Sequence, residues 1–221
     1  MIKNKGKIFF NLPLIFLFCS IFFALADEFI KSSAIKNIEI RYGENARRRA
    51  VALNSLMSSI ANASESEKLV RVNNFFNSFR WQDDLKVWNK KDYWATRMEF
   101  IGKGAGDCED YVIAKYFTLK QLGIATNKLY FTYVKAIKYN QAHMVLSYYE
   151  TPKSIPLVLD NINGNIKIAT QRKDLIPVYS FNGDSLYLAK QEGLGQVVPG
   201  GNKKQNPKWI DLVDRIKKEG L

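Results

Sequence analysis

One cysteine, one histidine and one aspartate have the types and positions of a nucleophile, a base and an orienting acid. Cys108 follows a glycine-rich stretch and opens an apolar run of helical period, so we expect it at the start of a helix. A helix N-terminus lowers the pKa of a thiol and presents free N–H groups to a developing oxyanion. This position is typical of a catalytic cysteine.

The base must be His143, because it is the only histidine in the chain. It lies in a run typical of a β-strand, where alternation places it on one face with Val145. Asp160 closes the next apolar run, 157–159, and can orient the imidazole if the two runs pair. Asn161 is an alternative, although alternation sends it to the other face. Each residue alone is explained as readily by core or turn structure; the combination favours catalysis.

Three acids surround the cysteine: Asp107, Glu109 and Asp110. Like charges raise the pKa of a thiol, which opposes thiolate formation. A hard cation such as calcium would cancel this repulsion, since carboxylate oxygens suit it. The simpler alternative is that the acids only complement the helix dipole, and there is no EF-hand spacing.

Composition limits the remaining functions. The 221 residues are 47% hydrophobic and 24% charged, as expected of a globular chain. A net charge of +12 suits an anionic partner without selecting one. Two cysteines and one histidine exclude a zinc site built from several Cys and His and also a disulfide-rich scaffold.

The N-terminus has the pattern of a signal peptide over residues 1–26. Three lysines precede an apolar run over 8–25, and Ala24-Leu25-Ala26 supplies a small-x-small cleavage site. We therefore expect export to the periplasm, with an uncleaved inner-membrane anchor as the alternative. Phe18 before Cys19 argues against a lipoprotein. Removal of Cys19 with the leader leaves Cys108 without an internal disulfide partner.

The periodicity predicts helices first and strands afterwards. Helices are expected over 44–60, 65–79 and 107–122, and strands over 128–136, 143–149, 156–160 and about 177–182. Residues 80–100 read as irregular, followed by a flexible turn at Gly102, Gly104 and Gly106. This order predicts an α+β domain over 27–190 with an antiparallel sheet. Residues 191–221 form a basic C-terminal extension, with a last helix opened by Pro207.

Five runs carry a resemblance to a known family. They are Trp81-Gln82-Asp83-Asp84, Asp92-Tyr93-Trp94-Ala95-Thr96, Gly106-Asp107-Cys108-Glu109-Asp110-Tyr111, Gln141-Ala142-His143-Met144-Val145 and Leu157-Val158-Leu159-Asp160-Asn161. From about Glu44 to about Leu188 the chain resembles the bacterial transglutaminase-like cysteine proteinases. Arg97 departs from the pattern, in which proline is expected, and this makes the local loop shape uncertain.

The resemblance implies a papain-like, transglutaminase-like cysteine protease fold. It implies Cys108 as nucleophile, His143 as base and Asp160 as orienting acid. It also implies calcium (Ca2+), with ligands at Asp107, Glu109, Asp110 and Asn127. The implied substrate is a large, repeat-containing surface adhesin, cut near its N-terminus at a pair of alanines and released from the cell, which controls biofilm attachment. The implied inhibitor is an inner-membrane cyclic-di-GMP receptor similar to LapD.

Two other functions fit the same residues. The same three residues serve acyl transfer to an amine, as in transglutaminases or amidases. A non-enzymatic alternative is a basic periplasmic module that binds anionic cell-wall or lipopolysaccharide groups. Nucleic-acid binding is not expected of an exported chain. For the protease we expect the backbone N–H of Cys108 and the side chain of Trp94 to hold the oxyanion.

Overall fold

The computed structural model describes residues 28–182, 186–190, 192–198 and 206–219. The expected leader, residues 1–26, lies outside these ranges, and so does Cys19. Within the described residues, no helix combines the length and the apolar character needed to cross a membrane.

Seven α-helices occur in the described part of the chain. They are α1 (Ser32–Tyr42), α2 (Glu44–Ser59), α3 (Glu65–Asn77), α4 (Asp84–Trp88), α5 (Arg97–Lys103), α6 (Cys108–Gln121) and α7 (Pro207–Lys218). The helices expected over 44–60, 65–79 and 107–122 are confirmed as α2, α3 and α6. The start of α3 is fixed locally, because the Ser64 hydroxyl accepts a hydrogen bond from the Glu67 backbone N–H.

The strands form one main sheet and one short pair. The short pair is parallel and consists of β1 (Arg80–Trp81) and β2 (Ala105–Gly106). The main sheet contains β3 (Leu129–Ala136), β4 (Gln141–Tyr148), β5 (Leu157–Leu159), β6 (Lys167–Ile168), β7 (Leu175–Phe181) and β8 (Leu186–Leu188). It is antiparallel throughout, in the order β6-β5-β4-β3-β7-β8. The α+β prediction is confirmed.

The segment expected to be irregular contains two helices, α4 and α5, so that part of the prediction is wrong. Thr96 caps α5 in a reciprocal capping box with Glu99, and Gly102 lies inside the helix instead of in a turn. The first six residues of α5 are all buried, so the helix has no polar face and its sequence shows no helical period. Gly104, at φ +65°, ends it.

Helix α6, which begins at Cys108, lies in the core between the other helices and the sheet. Nine of its 14 residues are buried, and Met144 and Leu146 of β4 belong to the same hydrophobic cluster. Val145 belongs to a second cluster on the opposite face of the sheet. The alternation expected along β4 is therefore confirmed, and it sets the direction of His143.

The C-terminal helix α7 packs against the same core. Trp209 and Leu212 are buried, and the Trp209 ring lies against the rings of Phe117, Phe131 and Phe181. Ile210, expected on the apolar face, is 44% exposed. The described end of the basic extension is therefore joined to the domain by aromatic packing.

Candidate active site

Cys108 is the first residue of α6, as its sequence position indicates. The preceding Gly106 leaves the space in which the Asp110 carboxylate sits, since a Cβ at 106 would collide with that side chain. Cys108 is half-buried and lines a cavity of about 690 Å3 together with His143. The backbone N–H of Met144, the residue after His143, bonds the Cys108 sulfur. The predicted nucleophile and base thus meet at one cavity.

The imidazole is held by the predicted acid. β4 and β5 pair antiparallel with Ser147 opposite Val158 and Leu146 opposite Leu159. If this register is extended by one residue pair, Asp160 lies opposite Val145, on the face of β4 that also carries His143. His143 Nε2 lies 2.7 Å from Asp160 Oδ1, and both side chains are buried. Nε2 carries the proton donated to the carboxylate, which leaves Nδ1 for proton exchange.

Asp160 is surrounded by donors. Its Oδ1 also accepts from the Ile162 backbone N–H at 3.0 Å, and its Oδ2 accepts from Arg172 Nη2 at 2.7 Å. Burial raises the pKa of Asp160, but the hydrogen bonds from His143, Ile162 and Arg172 outweigh it and hold the pKa well below its usual range. Asp160 is therefore an anion at neutral pH. It is Asp160, and not the alternative Asn161, that bonds the imidazole.

The thiol faces a carboxylate. Cys108 Sγ donates to Glu109 Oε2 across 2.7 Å, and no hydrogen bond joins it to His143 among the described residues. Burial and the neighbouring Glu109 and Asp107 carboxylates raise the pKa of the Cys108 thiol well above its ordinary value. As the structure stands, the thiol form is favoured over the thiolate.

Three carboxylates, those of the buried Asp84 and Asp110 and the half-buried Asp107, converge beside the thiol. Oxygens of Asp84, Asp107 and Asp110 lie within 4.8 Å of one another. Asp84 Oδ1, Asp107 Oδ1 and Asp110 Oδ2 are buried and have no hydrogen-bond partner in the described part of the chain. Burial, followed by mutual repulsion with Glu109 and the other acids, raises the pKa of Asp107 to about 9. Burial likewise raises the pKa of Asp110 and of Asp84.

This donor set fits a hard divalent cation. Unpaired carboxylate oxygens in a buried cluster are the ligands that calcium prefers, and a cation would satisfy all three. Glu109 belongs to an overlapping group with Asp107 and Cys108. The structure therefore brings three of the four expected ligands to one place and adds Asp84.

Two expected contributors lie elsewhere. Asn127 is exposed in a 3-10 turn that follows the C-terminal end of α6, whereas Asp107 lies at the N-terminal end of that helix. At a rise of 1.5 Å per residue, the two ends are about 20 Å apart. Trp94 is buried and stacked on Phe181, and it is not among the residues that line the cavity of Cys108. The indole N–H of Trp94 has no hydrogen-bond partner among the described residues, and its role as oxyanion donor stays a prediction.

Comparison with protein families identifies the chain. Residues 42–174 match the family described as bacterial transglutaminase-like cysteine proteinase BTLCP. This chain belongs to that family. The matched range includes Cys108, His143 and Asp160, whereas α7 lies outside it. A search of curated protein sequences found no match.

Solved structures of a transglutaminase-like cysteine proteinase resemble this one. LapG from Legionella pneumophila is 40% identical, covers 85% of this chain and 98% of its own, and superposes with a TM-score of 0.72. An EGTA-treated form and a calcium-bound form of the same protein match equally well. The transglutaminase-like cysteine protease fold predicted for this chain is thus confirmed.

Sequence reasoning missed two members of the site of this proteinase. Asp84 lies in the run Trp81-Gln82-Asp83-Asp84, which contributed to the resemblance but received no role. Arg172 is 2% exposed. The sequence does not indicate this, since nothing in it distinguishes a buried arginine from an arginine on the surface. Arg97 occupies the first position of α5, where proline is favoured in helices, so the departure from the family pattern leaves the local shape intact.

Proposed function

We propose that this proteinase is a calcium-dependent periplasmic cysteine endopeptidase. It would cleave the N-terminal region of a large surface adhesin at a pair of alanines and release the adhesin from the cell, which controls biofilm attachment. The observation that carries the proposal is the buried His143–Asp160 pair, joined at 2.7 Å, beside a cavity that also contains Cys108.

The reaction follows from these groups. His143 Nδ1 takes the proton of the Cys108 thiol, and the thiolate attacks the carbonyl carbon of the scissile bond. The backbone N–H of Cys108 at the start of α6 stabilises the oxyanion. His143 then returns the proton to the leaving amine, and a thioester remains on Cys108. His143 next takes a proton from water, which hydrolyses the thioester and restores the thiol.

Asp160 has a supporting part. Its carboxylate accepts from Nε2 throughout and stabilises the imidazolium that forms at each proton transfer. Because the pair is shielded from water, the imidazole is fixed before substrate arrives.

The acids Asp84, Asp107, Glu109 and Asp110 would hold the calcium. When bound, calcium would supply the positive charge that favours the Cys108 thiolate and would engage the Glu109 carboxylate that the thiol now uses. The calcium-bound and EGTA-treated forms of the Legionella protein support this assignment.

The cavity argues against the anionic-ligand alternative. Although the chain is basic overall, the acids Asp83, Asp84, Asp92, Asp107 and Glu109 line the cavity against a single lysine, Lys91. An anionic cell-wall group would meet repulsion there. A peptide, which is neutral along its backbone, would not.

Location and control are also proposed. The leader pattern supports export to the periplasm. An inner-membrane receptor that binds cyclic-di-GMP in the cytoplasm would sequester the protease and inhibit it.

A purified adhesin N-terminal segment with paired alanines tests the proposal. Wild-type protein with calcium should cut it into two fragments, and Cys108→Ala and His143→Ala should leave it intact. Mass spectra of the products distinguish hydrolysis from acyl transfer, because a cross-link to an added amine changes the mass. Full cleavage by folded Cys108→Ala would exclude this chemistry.

A further inference from the structure

Arg172 lies behind the His143–Asp160 pair and joins it to the loop after β6. Its Nη2 donates to Asp160 Oδ2 and to Asp174 Oδ2, both at 2.7 Å, and its Nε donates to Asp174 Oδ1 at 2.9 Å. Arg172 is 2% exposed, whereas the Asp174 side chain is 46% exposed. A guanidinium buried to this degree needs a reason, since removing it from water is costly.

The charge on Asp160 supplies the reason. Asp160 is 1% exposed, and a carboxylate so deeply buried is driven towards its neutral form unless positive or hydrogen-bonding groups face it. The groups that face it are His143 from β4, the Ile162 N–H from the following loop, Arg172 with Asp174, and the buried amine of Lys115 from α6, whose pKa burial lowers to about 7. Of these, Arg172 is the cation in direct contact.

The two oxygens of Asp160 have separate partners. Oδ1 accepts from His143 and Ile162, while Oδ2 accepts from Arg172. Contacts on both oxygens prevent rotation of the carboxylate plane about χ2. The direction of the His143 bond is therefore set from the far side of the carboxylate.

Arg172 does not reach the substrate side. It lines a separate cavity of about 30 Å3, with residues of β3, β4 and β5, and it is not among the residues around the cavity of Cys108. Any influence on the reaction must pass through Asp160.

We propose that Arg172 is a positioning residue that holds Asp160 as an anion and fixes its carboxylate plane, so that Oδ1 receives the Nε2 proton of His143. This inference rests on the proposed function only in naming His143 as the base. The Arg172–Asp160–His143 coupling itself is measurable in a protein that cleaves nothing.

The chain provides an unusual spectroscopic probe, because His143 is its only histidine. Protein labelled with 15N-histidine and prepared without a histidine tag gives the ring signals of His143 alone. In the wild type we expect the Nε2–H tautomer and a low-field ring proton that exchanges slowly with water. In Arg172→Gln we expect that proton to broaden or vanish and the tautomers to mix.

Kinetics on the adhesin segment supply the second readout. We expect Arg172→Gln to lower kcat about 10–100-fold with KM within about twofold, since loss of an orienting acid itself costs up to about 10⁴-fold. Arg172→Lys should recover part of the loss. Combined with Asp160→Asn, Arg172→Gln should cause no further loss, because residues that act as one unit are not additive.

Arg97→Gln is the matched control. Arg97 is also an arginine with little exposure, 4%, but its side chain contacts Thr118 and has no bond to Asp160 or His143. It should lose thermal stability as a buried arginine does and keep the wild-type ring spectrum of His143.

The outcomes separate the hypotheses. A folded Arg172→Gln protein with a wild-type His143 spectrum overturns the proposal, whether or not kcat falls. If Arg172→Gln does not fold, Arg172→Lys is the deciding variant, because a single lysine amine cannot reproduce the hydrogen bonds of the guanidinium to both Asp160 and Asp174. An Arg172→Lys protein with the wild-type kcat and the wild-type His143 spectrum would overturn the proposal. Absence of cleavage by the wild type, with the expected spectra, would instead contradict the proposed function alone.

Discussion

The Cys108 thiol donates its hydrogen bond to Glu109, its immediate neighbour on α6, across 2.7 Å. This bond favours the protonated thiol, because the Glu109 carboxylate accepts a hydrogen bond from the S–H group but would repel a thiolate. It also directs the sulfur towards the acids of the cavity. Activation of the thiol therefore requires that Glu109 be neutralised or engaged by another group.

Calcium should make Cys108 more reactive. In chelator at pH 7 we expect slow alkylation by iodoacetamide, since burial and the carboxylates raise the pKa of the thiol. Saturating calcium should speed alkylation about tenfold for each unit by which that pKa falls. Cys108→Ala gives the background from Cys19 where the leader is retained. Equal rates with and without calcium would show that the acids do not control the thiol.

Asp84 should contribute to calcium binding although it is remote from Cys108 in sequence. Asp84→Asn removes one of three converging carboxyl groups, so we expect calcium affinity to fall about tenfold or more, measured by titration calorimetry. The same change should raise the melting temperature in chelator, since repulsion decreases. Asp83→Asn, an exposed neighbour, is the matched control and should change neither quantity appreciably. Wild-type affinity in Asp84→Asn would remove Asp84 from the site.

Asn127 should not affect calcium. It lies at the far end of α6 from Asp107, so Asn127→Ala should retain wild-type affinity while Asp107→Asn loses it. Loss of affinity in both variants would mean that Asn127 approaches the cluster in the bound form.

The protein in chelator should lose stability as pH rises. The pKa of Asp107 is about 9 in the folded state and about 4 in the unfolded chain, so the folded state holds the extra proton between these values. The contribution of Asp107 to stability is therefore complete below about pH 4 and is lost as the pH rises towards 9. Urea unfolding at pH 5, 7 and 9 should show the decline, and Asp107→Asn should flatten it. Calcium affinity should rise over the same range, because binding expels protons. Stability in chelator that increases from pH 5 to 9 would contradict the raised pKa.

The C-terminal helix should contribute to global stability. Trp209 is 6% exposed among four aromatic rings, so Trp209→Ala should lower the free energy of unfolding by about 3–5 kcal/mol. Ile210→Ala, at a 44% exposed position one residue along, should cost less than about 1 kcal/mol. Equal small losses in urea unfolding would mean that α7 is not part of the core.

The α7 helix also contacts the segment before α5. Arg215 donates to the Trp94 carbonyl and to Glu99 Oε2, both at 2.5 Å, and Ala95 N–H donates to Asp110 Oδ1 at 2.8 Å. This chain of contacts links the C-terminal helix to an acid of the proposed calcium site. The helix α7 could be predicted from Pro207 and the spacing of the apolar residues that follow, but its contacts with Trp94 and Glu99 could not.

Local pattern was enough to predict much of the site. A single histidine in an alternating run and a cysteine after glycines at the start of a helical period identify the base and nucleophile candidates. The strand ending at Asp160 identifies the third residue. These signals are readable because helix starts and strand alternation depend on residues a few positions apart.

Tertiary packing decided the rest. Asp84 joins Asp107 and Asp110 because the β1–β2 pairing brings two separate stretches together, and no periodicity records that pairing. The burial of Arg172 against Asp160, and of α5 on every side, depends on which segments cover them. Burial determines whether a charged residue such as Arg172 is a solvated surface group or the partner of a buried carboxylate, and burial is a property of the folded chain.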